Sequence, residues 1–372
     1  MKVKFFDLKI TDKKIKQSLI KRFSLFLDKG NFFIGPEVFK LEKLLAKKNN
    51  SKYCVCLSSG SSALYLALKA AGVKRGDEVI TTPLSWIITS NAIMECGAVP
   101  VFVDIDDSFN MNANLIEKKI TKKTSAILAM HYAGLMCDMI KINKIAKKNN
   151  LKVVEDAAQS FGAKLNNDFS GNFSDVSSFS LNPMKPLAGF GEAGFIITDS
   201  KKIYSKILKL RHAGTVFDKK KTNMNLCYEI SLNHKIDNIN ASLLLESLKN
   251  FDKKYARIEK LSEIYEKNLP NYVVLQKISK NKKHARYVFP ILGENRDKLR
   301  DYLNKKNIET KIFNKPLIPD APAYKHLSKK NNLTKARDIL KRNLILPCHE
   351  KMTVEQVFFV IDQIKKFYEK NN

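Results

Sequence analysis

Lys185 lies between two prolines in SSFSLNPMKPLAGFGEAGFIIT (177–198), a stretch rich in glycine and flanked by two strand-like runs. In so lysine-rich a chain a given lysine is ordinarily surface charge. This one is followed by a Gly-Glu-Ala-Gly turn that lets backbone approach closely. A lysine amine can condense with an aldehyde and, once displaced, act as a base. Asp156 ends the apolar run KVVE, where a carboxylate is costly to bury unless a cation partners it; a pyridinium nitrogen is such a cation. Capping the next helix is the competing structural role for Asp156. Trp86, the only tryptophan, follows a strand in TTPLSWIITSNAI, where a flat ring suits stacking on a planar aromatic cofactor, though a lone tryptophan is as often core. In SSGSSAL (58–64) a strand runs through a Gly/Ser turn into a helix, so the N–H groups of Gly60 and Ser61 would face an anion; the same residues also serve as plain helix caps.

The elements that must position these residues alternate. From about residue 52 to 200, YCVCL, EVITT, VPVFVDI, SAILAMHY, KVVEDAA, SSFSLN and GFIIT read as strands, and SALYLALKAAG, IITSNAIMECG and MIKINKIAKKNN as intervening helices. This is the pattern of an α/β fold with a largely parallel sheet buried on both faces, whose ligands sit beyond the carboxyl ends of the strands. All four stretches fall on such loops. Residues 1 to about 30 read as an amphipathic arm, with Thr11 as N-cap and Ile15, Leu19, Ile20, Phe23 and Phe26 at helical spacing. After roughly residue 240 a long helix (241–269), short strands around YVFPIL and TKIFNK, and helices to the end predict a smaller α+β domain. The expected division is 1–240 for the arm and large domain and 241–372 for the small one.

Composition bounds the function. With 44% hydrophobic and 28% charged residues the chain is neither a disordered nor a membrane composition. No apolar window is long enough to span a bilayer and the first residues lack a signal-peptide core, so a cytoplasmic protein without a membrane partner is expected. Six cysteines with no CxxC pair and no histidine at zinc spacing give no legible metal site, and Cys54 and Cys56, alternating along YCVCL, read as buried thiols of a strand. The formal charge of +29 is spread along helix-like stretches such as DKKIKQSLIKR instead of gathering in a basic tail, so solvated helix faces explain most of it and no nucleic-acid partner is expected.

The order GPEV (35–38), SSGSSAL, GDEVITTPLSW, GAVPVFVDID, MHYAG, EDAAQSFGA, SFSLNPMKPLAGFGEAGFIIT, LRHAG and SLNHKIDNINASLLL resembles the DegT/DnrJ/EryC1/StrS family of sugar aminotransferases nearly end to end, and PAYKHL and LPCHEKMTVEQV resemble its C-terminal domain. The resemblance implies a fold type I architecture that binds pyridoxal 5'-phosphate (PLP) and a homodimer with active sites at the subunit interface. It makes Lys185 the Schiff-base lysine and proton shuttle and Asp156 the partner of the pyridine nitrogen. Trp86 becomes the stacking aromatic, Gly60, Ser61 and Ser180 the phosphate holders, and Gln159 the neighbour of the phenolic oxygen. Asn233 would reach the phosphate from the other subunit. His234 and Lys235 depart from the family, which often has an aromatic and an arginine there. Members that dehydrate sugars carry histidine at the lysine position, so Lys185 argues for transamination.

The resulting expectation is an enzyme that takes an amino group from an amino acid, glutamate in the first instance, through pyridoxamine phosphate (PMP), to a keto sugar carried on a nucleoside diphosphate. Arg211, His212, Lys235 and Arg286 are candidate anion contacts, each also readable as plain surface charge. A smaller phosphorylated ketone as acceptor, and a basic regulatory protein on the same fold, are the alternatives; Lys185 and Asp156 speak against the second.

Overall fold

The structure, a computed structural model, describes residues 1–216, 225–328 and 332–370. The arm carries α1 (Lys13–Lys29) and α2 (Pro36–Lys48). The cap of α1 is Asp12 and not Thr11: its carboxylate accepts the N–H groups of Lys14 and Ile15 at 2.8 and 3.1 Å, and a negative charge also suits a helix N-terminus. Of the apolar stripe on α1 only Phe26 is buried, whereas Ile20 and Phe23 are 60% and 47% exposed.

The large domain follows as β1 (Tyr53–Leu57), α3 (Gly60–Ala71), β2 (Glu78–Thr81), α4 (Ile88–Glu95), β3 (Val99–Phe102), β4 (Thr124–Met130), α5 (Met139–Lys148), β5 (Lys152–Asp156), β6 (Lys164–Leu165), β7 (Asp168–Phe169), β8 (Val176–Ser180), β9 (Gly194–Thr198) and α6 (Lys201–Arg211). Seven strands form one sheet in the order β1-β9-β8-β5-β4-β2-β3. Only β9 runs antiparallel to its neighbours, so the largely parallel sheet read from the sequence is what forms. Its strands are near-continuous β-branched and apolar runs because α3 covers one face with Leu64, Leu66 and Leu68, while Phe161, Phe179 and Phe195 fill the core on the other.

Between β5 and β8 no crossover helix intervenes. β6 and β7 make a tight hairpin through Asn166 and Asn167, at φ 53° and 85°, the left-handed conformation that such turns require and asparagine tolerates. Asp156 therefore has no helix to cap, which removes the structural role that competed with the chemical one.

α7 (Asn238–Asn268) is a spine of 31 residues. Its first half packs Ala241, Leu244 and Phe251 into the large-domain core, and its second half packs Leu261 and Tyr265 into the small one. Beyond it come β10 (Val274–Leu275), β11 (Lys282–Lys283), β12 (Phe289–Leu292), α8 (Arg296–Lys305), α9 (Lys325–Ser328), α10 (Thr334–Arg342), β13 (Asn343–Leu346) and α11 (Val354–Glu369). The small sheet runs β10-β12-β13, all antiparallel. The expected TKIFNK strand does not form: left-handed Asn314 (φ 61°) and Pro316 cut it short, and only Lys311 bridges to Ile345. The strand beside β12 is instead NLIL, in a stretch read from sequence as helix.

Candidate active site

β5 and β8 are adjacent and parallel, with Asp156 opposite Ser178, so the residues just beyond their carboxyl ends share one edge of the sheet. Asp156 is 5% exposed. Thr89, from the first turn of α4, donates its hydroxyl to Asp156 Oδ2 at 2.9 Å, and the Ala158 N–H reaches Oδ1 at 3.2 Å. Burial pushes the carboxyl above its ordinary range; the Thr89 and Ala158 hydrogen bonds and the charge of Lys185 oppose that shift without overcoming it. A carboxylate held this way gains from a hydrogen-bonded cation.

Behind it, Glu155 on the same strand is fully buried and accepts from His131 Nε2 (2.7 Å), Gly171 N–H and Phe173 N–H (both 3.0 Å). Burial alone would raise its carboxyl, but these donors hold it below the ordinary value. Because His131 Nδ1 accepts the Cys137 N–H at 3.2 Å, the ring proton sits on Nε2 and is donated to Glu155. The pair fixes the loop after β4, where Ala133 adopts φ 57° and gives its N–H to Gln159 Oε1 at 2.7 Å. Gln159 thereby keeps its NH2 as a spare donor at the strand edge.

Lys185 is carried on the loop from β8 to β9. Leu181 and Ala193 close the loop base through a 2.8 Å hydrogen bond, and the Asn182 side chain accepts the Met184 N–H at 3.0 Å. A Cβ on Gly189 would sit 2.5 Å from the Leu181 carbonyl, so the turn after Lys185 needs glycine there. The lysine is half-buried, and its charge acts on Asp156.

The third wall is the start of α3. Ser59 caps it, accepting the Ser62 N–H at 3.0 Å, and among the described residues the Gly60 and Ser61 N–H groups have no acceptor. Gly60 lies so close to Ser180 that a Cβ would be 2.6 Å from the serine Cβ. The Ser180 hydroxyl and two free amides of a helix N-terminus thus converge, the donor set an anionic phosphate takes. A buried carboxylate wanting a cation, a lysine beside it and an anion cradle fit PLP: Asp156 would meet the pyridine nitrogen, Lys185 the aldehyde carbon, and Gly60, Ser61 and Ser180 the phosphate.

The other expected residues fall in different settings. Trp86 lies just after β2 and is 65% exposed, so it is not a core tryptophan. Asn233 is exposed at a bridge to His212, and its side chain accepts the Lys235 N–H at 3.2 Å. Arg211 is not available to a substrate: buried, it pairs with Glu42 at 2.6 Å. Arg286 is paired with Glu266 at 2.5 Å, and His212 engages Thr215 at 2.8 Å. Lys235 is half-buried, and burial together with nearby Arg211 holds its ammonium below the ordinary range. Thr89, Glu155 and His131 were missed by the sequence reading; the one legible signal was polar side chains in otherwise apolar runs.

A largely parallel sheet, a strand-edge carboxylate, a loop lysine and a phosphate cradle define a fold type I PLP-dependent aminotransferase. Residues 13–365 match the DegT/DnrJ/EryC1/StrS aminotransferase family, and the chain belongs to it. It is 35% identical, over 91% of each chain, to GDP-perosamine synthase of Escherichia coli O157:H7. It is 34% identical, over 72% of this chain and 73% of the other, to UDP-2-acetamido-2-deoxy-3-oxo-D-glucuronate aminotransferase of Pseudomonas aeruginosa. The crystal structure of NtdA from Bacillus subtilis with bound PMP superposes with a TM-score of 0.88 at 28% identity, covering 97% of this chain and 85% of that one.

Proposed function

We propose that this enzyme moves an amino group from an amino acid, glutamate in the first instance, to the keto carbon of a sugar linked to a nucleoside diphosphate. The observation that carries the reading is the convergence of Asp156, Lys185 and the Gly60–Ser180 cradle on one sheet edge. The substrate class is supported by the GDP- and UDP-linked sugars in the names of the two relatives. When bound, PLP supplies an electron sink for the carbanion formed at the amino-bearing carbon. Asp156 would keep the pyridine nitrogen protonated, the Gly60, Ser61 and Ser180 donors would anchor the phosphate, and Gln159 would offer its NH2 to the phenolic oxygen. Lys185, once free as a neutral amine, would serve as the base that takes and returns a proton at the reacting carbons. The large domain over residues 1–240 holds this apparatus, and the domain over 241–372 closes one side of it.

We read the working unit as a homodimer. Phe33, Trp86, Ile230 and Leu232 are 84%, 65%, 90% and 72% exposed, large apolar side chains that a partner subunit would cover. Asn233 adjoins Leu232 and is free to contribute to a partner's cofactor phosphate. The reading also places the enzyme in the cytoplasm, where nucleotide sugars are made; among the described residues no helix is long and apolar enough to cross a membrane.

The test is a two-stage absorbance experiment. Glutamate should convert the PLP form to PMP, and a keto sugar bearing GDP, UDP or dTDP should restore PLP absorbance. Restoration by small phosphorylated ketones and by none of the nucleotide sugars would overturn the assignment.

A further inference from the structure

Lys185 Nζ has no hydrogen-bond acceptor among the described residues, yet it is not loose. It lies 4.7 Å from the centroid of the Tyr287 ring, within the range where an ammonium is attracted to an aromatic face. Tyr287 comes from the small domain, just before β12, and is 8% exposed. Its ring is held by an unusual piece of backbone. Arg286 adopts φ 55°, a conformation that side chains with a Cβ rarely take, and is fixed there from three sides. Its N–H donates to His284 Nδ1 at 2.8 Å, its guanidinium pairs with Glu266 on α7, and the Ala285 N–H before it donates to the Gly134 carbonyl at 2.9 Å. Gly134 cannot carry a side chain, since a Cβ would stand 2.9 Å from the Gln159 carbonyl and 3.0 Å from Ala285 Cβ. The segment that presents Tyr287 to the lysine is therefore locked to the loops after β4 and β5, the loops that carry the Asp156 edge of the site.

We propose that Tyr287 is a positioning residue: its ring holds the Lys185 ammonium once that lysine has left the cofactor and carries a proton, and so biases the balance between the PLP and PMP forms. The inference rests on Lys185 being the cofactor lysine. Transamination alternates that amine between a state bonded to the cofactor and a free, protonated state, and only the free state gains from the ring. Tyr287 stabilises the PMP form by that difference, and it keeps the amine aimed at the reacting carbons instead of at solvent.

The experiment compares Tyr287→Leu with Tyr287→Phe. In the loaded enzyme, the PMP to PLP ratio at a fixed glutamate to 2-oxoglutarate ratio should fall about three- to tenfold in the leucine variant and stay within about twofold in the phenylalanine variant, as loss of a cation–π contact predicts. In the cofactor-free full chain, acylation of Lys185, followed by peptide mass mapping, should speed up by a similar factor in the leucine variant only. Equal ratios and equal acylation rates in all three proteins would overturn the proposal, as would a phenylalanine variant that behaves like leucine. Should the leucine variant fail to fold, a series of increasingly fluorinated phenylalanines at 287 keeps the shape and weakens the ring's negative face. A graded fall in the PMP fraction supports the contact and a flat response overturns it. Trapping of the cofactor on a different lysine would remove the Lys185 assignment, while the acylation arm would still report on the Tyr287–Lys185 contact.

Discussion

At the scale of single residues the proposed chemistry rests on two side chains, Asp156 and Lys185. Asp156 is buried with a hydroxyl and one amide as partners, and burial holds its carboxyl above the ordinary 3.8. Between that value and the raised one the folded, cofactor-free chain binds more protons at this site than the unfolded chain does. Its stability contribution is therefore lost as pH rises through the raised value. Asp156→Asn removes the penalty, so the cofactor-free variant should be at least as stable as wild type at pH 7, with an advantage that grows in denaturant melts as pH rises from about 4 through the raised carboxyl value. The same variant loses the charge that keeps the pyridine nitrogen protonated, and its PLP-to-PMP conversion in stopped flow should slow roughly a thousandfold or more. A variant that is less stable at pH 7 yet converts normally would make Asp156 a structural residue. Lys185→Ala should melt within about 1 kcal/mol of wild type, because the side chain is half-buried and its backbone hydrogen bonds remain, but turnover should vanish. Both residues were legible in the sequence, since a carboxylate closing an apolar strand and a lysine between prolines break the local pattern. Thr89 and Tyr287 were not, because each looks like an ordinary helix or strand residue until tertiary contacts place it.

At the scale of elements the site depends on how closely α3 approaches β8. Alanine is the better helix former at Gly60, and on local propensity alone Gly60→Ala should stabilise α3. The Cβ would instead meet Ser180 Cβ at 2.6 Å and push the helix N-terminus off the strand. Gly60→Ala should therefore lower stability by about 1–3 kcal/mol and weaken PLP retention, and Ser180→Gly in the same chain should restore part of the stability. Equilibrium melts of the single and double variants check this, and simple additivity would show that the two positions do not touch. The sequence located α3 and β8 through their periodicity, and the Gly/Ser turn between strand and helix was visible. It could not show the β6–β7 hairpin, whose paired asparagines matter only through their left-handed backbone, nor β13, whose four-residue NLIL run follows directly on the helix α10.

At the scale of the whole molecule the bare apolar residues and the +29 charge need separate explanations. The apolar residues fit a dimer interface. Leu232→Asp should place a charge in it and move the protein toward monomer in sedimentation, with loss of bound PLP. Asn233→Ala should leave the dimer intact and weaken PLP retention about tenfold or more, the effect of losing one hydrogen bond to a charged group. A Leu232→Asp protein that stays dimeric would move the interface elsewhere. The basic charge lies mostly on helix faces such as α1 and α7, as solvated lysines and arginines do.

The most direct test of the central claim is to reduce the PLP-loaded enzyme with borohydride and map the modified peptide by mass spectrometry. A phosphopyridoxyl group on Lys185, in the peptide from LNPMKPLAGFGE, is the predicted result. The group on any other lysine, or on none, would contradict the assignment of this site.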